Sequence, residues 1–126
     1  MEEVLTIRNL IENSERGTGC LFLLDEIYRG TNTTERIAAA YAVLQYLCKQ
    51  NMAIAATHDS ELTSLLKEGY DMYHFAETVT ERSLSFDYIL KPGRLKHGNA
   101  IRILEQNGYP SEVIELALKQ SGRSNA

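Results

Sequence analysis

The first half of the chain alternates between helical and strand-like patterns of apolar residues. The first helical pattern places four apolar residues on one face, namely Val4, Ile7, Leu10 and Ile11. A second helical pattern separates two apolar runs, residues 20–24 and Met52–Ala56. A strand, a helix and a strand in this order form a βαβ unit, and its crossover is almost always right-handed. The two strands are therefore predicted to lie parallel.

The first apolar run is continuous, with no polar residue between positions 20 and 24. This pattern is typical of a parallel strand covered on both faces. Asn32 and Glu35 then have the spacing of a capping box at the start of the second helix. The face of this helix that is predicted to pack on the sheet carries Ile37, Ala40, Tyr41, Leu44, Leu47 and Cys48.

The second half begins with a predicted helix over residues 60–67, closed by Gly69. Two strand-like stretches follow, residues 70–78 and 83–91, and the second alternates apolar and polar positions. An antiparallel pair with one covered face is the predicted arrangement. Two helical patterns, separated by a stop at Asn107 and Gly108, end the chain, and Ser111 is the predicted N-cap of the last helix.

Composition describes an ordinary globular chain. The 126 residues are 44% hydrophobic and 24% charged, with two prolines. The net charge of −4 argues against a free-standing nucleic-acid binder, because neutralising phosphates requires clustered lysine and arginine. Cys20 and Cys48 lie in apolar contexts and indicate reduced thiols. Since the sequence has no signal peptide, membrane span or lipidation motif, a cytoplasmic location without a membrane partner is expected.

Candidate chemistry stands at the ends of the two predicted parallel strands. Asp25 and Glu26 follow the first strand, and His58 follows the second. Ligands of open α/β sheets bind beyond the carboxyl ends of the strands, so we expect the three residues to lie close together. A carboxylate here can hold Mg²⁺ and a second one can activate water. The alternative is a strand leaving the core, with solvated acids and a structural histidine.

Four stretches of the sequence carry motifs that together resemble one known family. Residues 25–32 (DEIYRGTN) and 56–59 (ATHD) resemble the Walker B, D-loop and switch-histidine region of the MutS family of ABC-type ATPases. Met1 and Glu3 resemble the end of its signature segment, and residues 97–114 resemble its carboxyl-terminal helical segment. The resemblance covers nearly the whole chain.

The resemblance implies an α/β fold, the second half of an ABC-type P-loop NTPase domain. This half has parallel strands, an antiparallel strand pair and a C-terminal helical pair. Residues 1–96 would form the carboxyl-terminal half of the ATPase domain, and residues 97–126 a helical dimerisation segment.

The resemblance also implies roles for individual residues. Asp25 would hold Mg²⁺, Glu26 would polarise the hydrolytic water, and His58 would reach the γ-phosphate of ATP. Thr31 and Asn32 would contact the nucleotide of a second, identical subunit. The parent protein would use ATP binding and hydrolysis to drive engagement of two subunits on mismatched or otherwise structured DNA, which upstream domains would bind.

The chain departs from the family pattern in two respects. It contains no Gly-x-x-x-x-Gly-Lys-Ser/Thr loop, so it is predicted to be a piece of a longer ATPase and inactive by itself. Tyr28 and Asn32 replace the glycine and serine usual in mismatch-repair members, which leaves the pathway open. Two other functions also stay open: a metal-dependent phosphoesterase that uses Asp25, Glu26 and His58 directly, and a non-catalytic dimerisation module.

Overall fold

The computed structural model describes residues 1–16, 19–95 and 99–122. The chain divides into two compact units, Met1–Met72 and Tyr73–Ala126. The predicted division between residues 96 and 97 follows a different criterion, the family resemblance, and stays a prediction. Gly17 and Thr18 in the predicted break, and His97 and Gly98 in the predicted C-terminal segment, lie outside the described residues.

The first unit contains the predicted βαβ arrangement. Its elements, in order, are α1 (Glu2–Ser14), β1 (Leu21–Asp25), α2 (Thr33–Leu47), β2 (Met52–Ala56) and α3 (Ser60–Leu66). Strands β1 and β2 pair in parallel, with Leu21 beside Met52 and Asp25 beside Ala56. Asn32 caps α2, since its Oδ1 accepts the backbone N–H of Thr34 at 3.0 Å. The predicted parallel pairing and the cap at Asn32 are confirmed.

The core of the first unit lies between the helices and one face of the two-stranded sheet. Most of the predicted face of α2 is buried there, and Leu44 and Leu47 are the most completely enclosed, at 1% and 0% exposure. Tyr41, predicted on the same face, is 36% exposed. The buried cluster consists of Ile7, Phe22, Leu24, Ile37, Ala40, Val43, Leu44, Leu47, Leu62 and Leu66.

Strand β1 is covered on one face only, so the prediction of two covered faces is wrong for this chain. Phe22 and Leu24 join the core, whereas Leu21 and Leu23 are 56% and 71% exposed. Successive side chains of a strand point to opposite faces, and the described helices pack against the Phe22 side. The other face remains apolar and open to solvent.

This open face predicts self-association. Leu21 and Leu23 lie beside Met52 and Ile54, which are 67% and 57% exposed, so four large apolar side chains form one surface. We expect the isolated chain to associate, and Leu23→Lys to raise the dissociation constant at least about tenfold, measured by sedimentation velocity. Leu65→Lys, on α3 at a residue 52% exposed, is the matched control and should have little effect. A strictly monomeric chain at high concentration would contradict this prediction.

A partly buried tyrosine makes the stability of the first unit sensitive to high pH. The hydroxyl of Tyr70 donates to the carbonyl of Leu44 at 2.6 Å. Burial, assisted by the neighbouring Cys48, raises the pKa of Tyr70 from 10.0 to about 12. The folded state therefore holds this proton more tightly, and the resulting stability is complete below pH 10 and lost between pH 10 and about 12.

We expect the free energy of unfolding to fall by about 1 to 2 kcal/mol over this pH range, allowing for partial solvent exposure. The measurement is urea unfolding at a series of pH values. Tyr70→Phe should make this part of the profile less steep but not flat, because the pKa values of Tyr28 and Tyr46 are also raised. Tyr73→Phe, at a residue 58% exposed, should leave the profile unchanged. The same slope in the Tyr70→Phe protein would assign the pH dependence to another group.

The second unit contains two short antiparallel strand pairs. Strand β3 (Tyr73–His74) pairs with β6 (Lys91–Pro92), and β4 (Glu77–Val79) pairs with β5 (Leu84–Phe86). The antiparallel pairing is as predicted, but each predicted long strand is interrupted. Tyr88 has a φ of 55°, which an extended strand cannot contain.

The prediction that one face of this strand pair is covered is also wrong. All four alternating apolar residues are exposed, by 39% to 84%: Leu84, Phe86, Tyr88 and Leu90. The reversal at Tyr88 divides them, because the carboxylate of Asp87 accepts the backbone N–H of Ile89 at 3.0 Å and closes a local turn there. The alternation therefore does not build one continuous face.

The C-terminal helical pair is present as predicted. Helix α4 (Ala100–Gln106) and α5 (Ser111–Gln120) pack on each other, and Gly108 between them has a φ of 74°. Ser111 is already helical, so its predicted role as N-cap is wrong. The cap residue is Pro110, whose backbone is extended and whose carbonyl accepts the N–H of Ile114 at 3.2 Å.

Candidate functional site

The acidic pair and the histidine leave the sheet at the same edge. Strand β1 ends at Asp25 opposite Ala56, the last residue of β2. One more backbone bond continues the pairing, because the N–H of Glu26 donates to the carbonyl of Ala56 at 3.0 Å. The segments that follow, one with Glu26 and the other with His58, therefore start side by side, as the sequence predicts.

Asp25 presents an unengaged carboxylate on the open face of the sheet. Phe22 and Leu24 are buried, so the alternation of the strand places Asp25 on the solvent side. Within residues 1–16, 19–95 and 99–122, its carboxylate has no hydrogen-bond or ion-pair partner. The same residues contain no group of three histidine, cysteine, aspartate or glutamate side chains placed to hold a metal. One free carboxylate nevertheless suits Mg²⁺, which usually keeps several waters and binds phosphate oxygens as well.

Glu26 is held against the histidine segment. Its Oε1 accepts the backbone N–H of His58 at 2.7 Å. The same oxygen lies 3.8 Å from Nε2 of the His58 ring. The Glu26 side chain is 17% exposed, whereas that of His58 is 98% exposed. The carboxylate is therefore fixed near the edge of the sheet, and the imidazole projects into solvent, accessible to a ligand.

The loop between Glu26 and α2 is anchored to the first helix. The backbone N–H of Tyr28 donates to Oε1 of Glu3 at 2.6 Å. Burial, and then the negative charge of Glu3, raise the pKa of the Tyr28 hydroxyl. Thr31 and Asn32 are exposed, and the Oδ1 of Asn32 is engaged in the cap of α2. Sequence reasoning placed Glu3 in the signature-like segment but did not predict its contact with a loop 25 residues away.

A half-buried ion pair involves Asp59, the residue that follows His58 in the chain. The guanidinium Nη2 of Arg36 is 2.8 Å from Oδ1 of Asp59, and both side chains are 22% exposed. Asp59 is the N-cap residue of α3, yet its side chain makes no cap hydrogen bond. Sequence reasoning missed this pair, because nothing in the local pattern connects two residues 23 positions apart.

A small cleft opens to solvent between these groups. Its volume is only about 10 Å³, roughly the space that one water molecule needs and far below that of a small-molecule site. Glu26 and Asp59 are the acidic residues of a mainly apolar lining, which consists of Leu24, Glu26, Ile27, Leu44, Ala55, Ala56, Thr57, Asp59 and Leu62. The cleft is therefore too small to enclose a nucleotide.

In the described part of the chain, no helix combines the length and the apolar character needed to cross a bilayer. The expected cytoplasmic location stays a prediction.

Comparison with known proteins gives consistent matches over the chain. A family model, MutS domain V, matches residues 1–123. The DNA mismatch repair protein MutS of Aquifex pyrophilus is 36% identical over an alignment of 123 residues, and the alignment covers 94% of this chain and 14% of that protein. The proteins of the same name from Natronomonas pharaonis and Clostridium perfringens are 36% and 30% identical, over 83% and 93% of the chain. The chain thus spans about a seventh of the length of these curated relatives.

Proposed function

Because the chain belongs to the MutS family, as the match to MutS domain V indicates, we propose that it supplies the acidic half of an ATPase site. The observation that carries the proposal is the arrangement at the edge of the sheet. Asp25 offers a free carboxylate there, and beside it the Glu26 carboxylate binds the backbone of His58. ATP hydrolysis needs one group that binds the metal, one that activates water and one that contacts the phosphate. The three residues at this edge can supply one group each.

The three residues divide the work of hydrolysis. Asp25 would hold Mg²⁺, which when bound neutralises charge on the phosphates. Glu26 would orient the attacking water and accept its proton, for which its fixed position is an advantage. The exposed imidazole of His58 would donate a hydrogen bond to the terminal phosphate of ATP. A phosphate-binding loop is absent from this sequence, so the complete site also requires residues from outside it.

We further propose that the exposed loop before α2 contacts the nucleotide of a second, identical subunit. Among the residues that the structure describes, the hydroxyl of Thr31 in this loop has no hydrogen-bond partner. Asn32 uses its Oδ1 as the cap of α2, which leaves its Nδ2 amide available to donate to a phosphate oxygen. Asn32 is therefore expected to donate a hydrogen bond from Nδ2 to a phosphate oxygen.

The assembly belongs to the same proposal. The relatives are named DNA mismatch repair proteins, and this supports action on mismatched or otherwise structured DNA through parts of those proteins that the chain does not match. The segment 97–126 would help to join two subunits. In α5, Val113 and Leu116 are 41% and 57% exposed, which gives that helix apolar surface for a partner.

The isolated chain is expected to bind ATP weakly and not to hydrolyse it. Its cleft is small and it has no phosphate-cradling loop, so calorimetric titration with Mg-ATP should give a dissociation constant above roughly 0.1 mM. Micromolar affinity at a single site would contradict this. Cleavage of a phosphate ester by the chain with Mg²⁺ or Mn²⁺ but without ATP would favour a metal-dependent phosphoesterase instead.

A chimera tests the proposed ATPase role. This chain would replace the matched 123 residues in the Aquifex pyrophilus protein, and ATP hydrolysis would be measured beside the natural protein. We expect the folded chimera to hydrolyse ATP, with loss of hydrolysis in the double variant Asp25→Asn/Glu26→Gln. A folded chimera that binds ATP but hydrolyses it equally well with both carboxylates replaced would exclude the proposal. A folded chimera that never hydrolyses ATP would favour a non-catalytic module.

A further inference from the structure

Only three residues connect β2 to α3, and each of them is anchored. Thr57 Oγ1 accepts the backbone N–H of Asp59 at 3.0 Å. The N–H of His58 donates to Glu26 at 2.7 Å, and the carboxylate of Asp59 binds Arg36 at 2.8 Å. The exposed imidazole thus stands on a short segment fixed from both sides.

The anchor at Asp59 replaces a local interaction. An aspartate at an N-cap ordinarily accepts a backbone N–H in the first turn of its own helix, and this hydrogen bond stabilises the helix. The Asp59 side chain makes no such bond with α3 and turns to Arg36 on α2. The bond from Arg36 to Asp59 is a charge-assisted contact between α2 and the start of α3, at the residue next to His58.

Arg36 in turn belongs to the first turn of α2. Its backbone N–H donates to the carbonyl of Asn32 at 2.8 Å, so the guanidinium is carried by the turn that follows the exposed Thr31–Asn32 loop. In the described part of the chain, Arg36 Nε is buried without a partner. The bond from Nη2 to Asp59 is therefore the contact that orients the guanidinium.

We propose that Arg36 and Asp59 are positioning residues that hold the backbone of His58 in place against the first turn of α2. The pair is half-buried, so water and salt screen it less than they screen a surface pair. The relevance of the pair to hydrolysis rests on the proposed function, whereas the restraint on His58 does not.

Amide hydrogen exchange in the 126-residue chain tests the restraint directly. Mass spectrometry at micromolar concentration, with fragmentation to single residues, would compare the N–H of His58 with the core N–H of Leu44. In Asp59→Asn and Arg36→Gln, we expect exchange at His58 to accelerate about tenfold relative to Leu44. A pair that only stabilised the fold would accelerate both amides together, and that outcome would overturn the proposal.

Two further variants complete the test. Arg36→Lys keeps the charge but shortens the reach, so it should give a smaller acceleration and serves if the other variants do not fold. The matched control is Arg8→Gln on α1, which removes the exposed pair between Arg8 and Glu12 at 3.1 Å. Selective acceleration at His58 in this control as well would overturn the assignment to Arg36 and Asp59.

In the chimera with the Aquifex pyrophilus protein, the effect of the pair on ATP hydrolysis can be measured separately from its effect on amide exchange. Asp59→Asn should lower single-turnover hydrolysis about tenfold while changing ATP affinity less than about twofold, because the chemistry depends on the position of His58. Unchanged hydrolysis together with faster exchange at His58 would show that the restraint has no catalytic role. A chimera without any hydrolysis would count against the proposed function, and the exchange experiment would still decide the restraint.

Discussion

Replacing Glu26 with glutamine in the chimera is expected to reduce single-turnover ATP hydrolysis roughly 10²- to 10⁴-fold with little change in ATP affinity. Glutamine keeps an oxygen that can accept the backbone N–H of His58, so the bond seen at 2.7 Å survives the change. The substitution removes the base alone. The variant should therefore accumulate with uncleaved ATP and its two subunits engaged.

Asp25→Asn should mainly weaken ATP binding, whereas Glu26→Gln should mainly slow ATP hydrolysis. Asp25→Asn removes the proposed metal ligand, so the Mg²⁺-dependent part of ATP binding should weaken. Equilibrium binding with and without Mg²⁺, measured beside hydrolysis, separates the two variants. Glu12→Gln on α1 is the control for loss of a carboxylate elsewhere, since its side chain is 49% exposed. Full hydrolysis in Glu26→Gln would remove Glu26 from the base role and direct attention to His58.

Truncation of Leu44 to alanine should destabilise the chain by roughly 2 to 5 kcal/mol. Leu44 is 1% exposed in the centre of the buried cluster, so the variant loses packing on all sides and leaves a cavity. Typical domains have only about 5 to 15 kcal/mol of stability in total, and this one has an apolar sheet face outside its core. Urea unfolding followed by circular dichroism measures the change.

The matched control is Leu65→Ala on α3, which removes the same atoms from a side chain that is 52% exposed and lies outside the apolar sheet face. We expect the free energy of unfolding to change by less than about 0.5 kcal/mol there. A loss below about 1 kcal/mol in Leu44→Ala would mean that the cluster collapses around the missing side chain.

The parts of the fold that the sequence predicts are those encoded by local periodicity. The parallel strands, the helix between them and the edge shared by Glu26 and His58 follow from apolar spacing and from the handedness of a βαβ crossover. The resemblance to the MutS family, carried by short motifs at the same edge, is confirmed by the family match. The roles of the individual site residues stay predictions.

The errors and omissions have a common physical origin. Coverage of Leu21 and Leu23 depends on which elements pack against the sheet, and the apolar run itself carries no such information. The bonds from Glu3 to Tyr28 and from Arg36 to Asp59 join residues that are distant in the chain, without a local signal. Tyr88 has no glycine-like sequence signal, although its backbone breaks the predicted strand.

The backbone of the acidic loop carries conformational strain at the residue on which hydrolysis is proposed to depend. Glu26 and Tyr28 have φ values of 48° and 60°, in the left-handed region that costs an ordinary residue roughly 1 to 2 kcal/mol. Glycine enters this region freely. Glu26→Gly should therefore relieve strain while removing the carboxylate, so the chain holds its proposed base in place at the expense of folding stability.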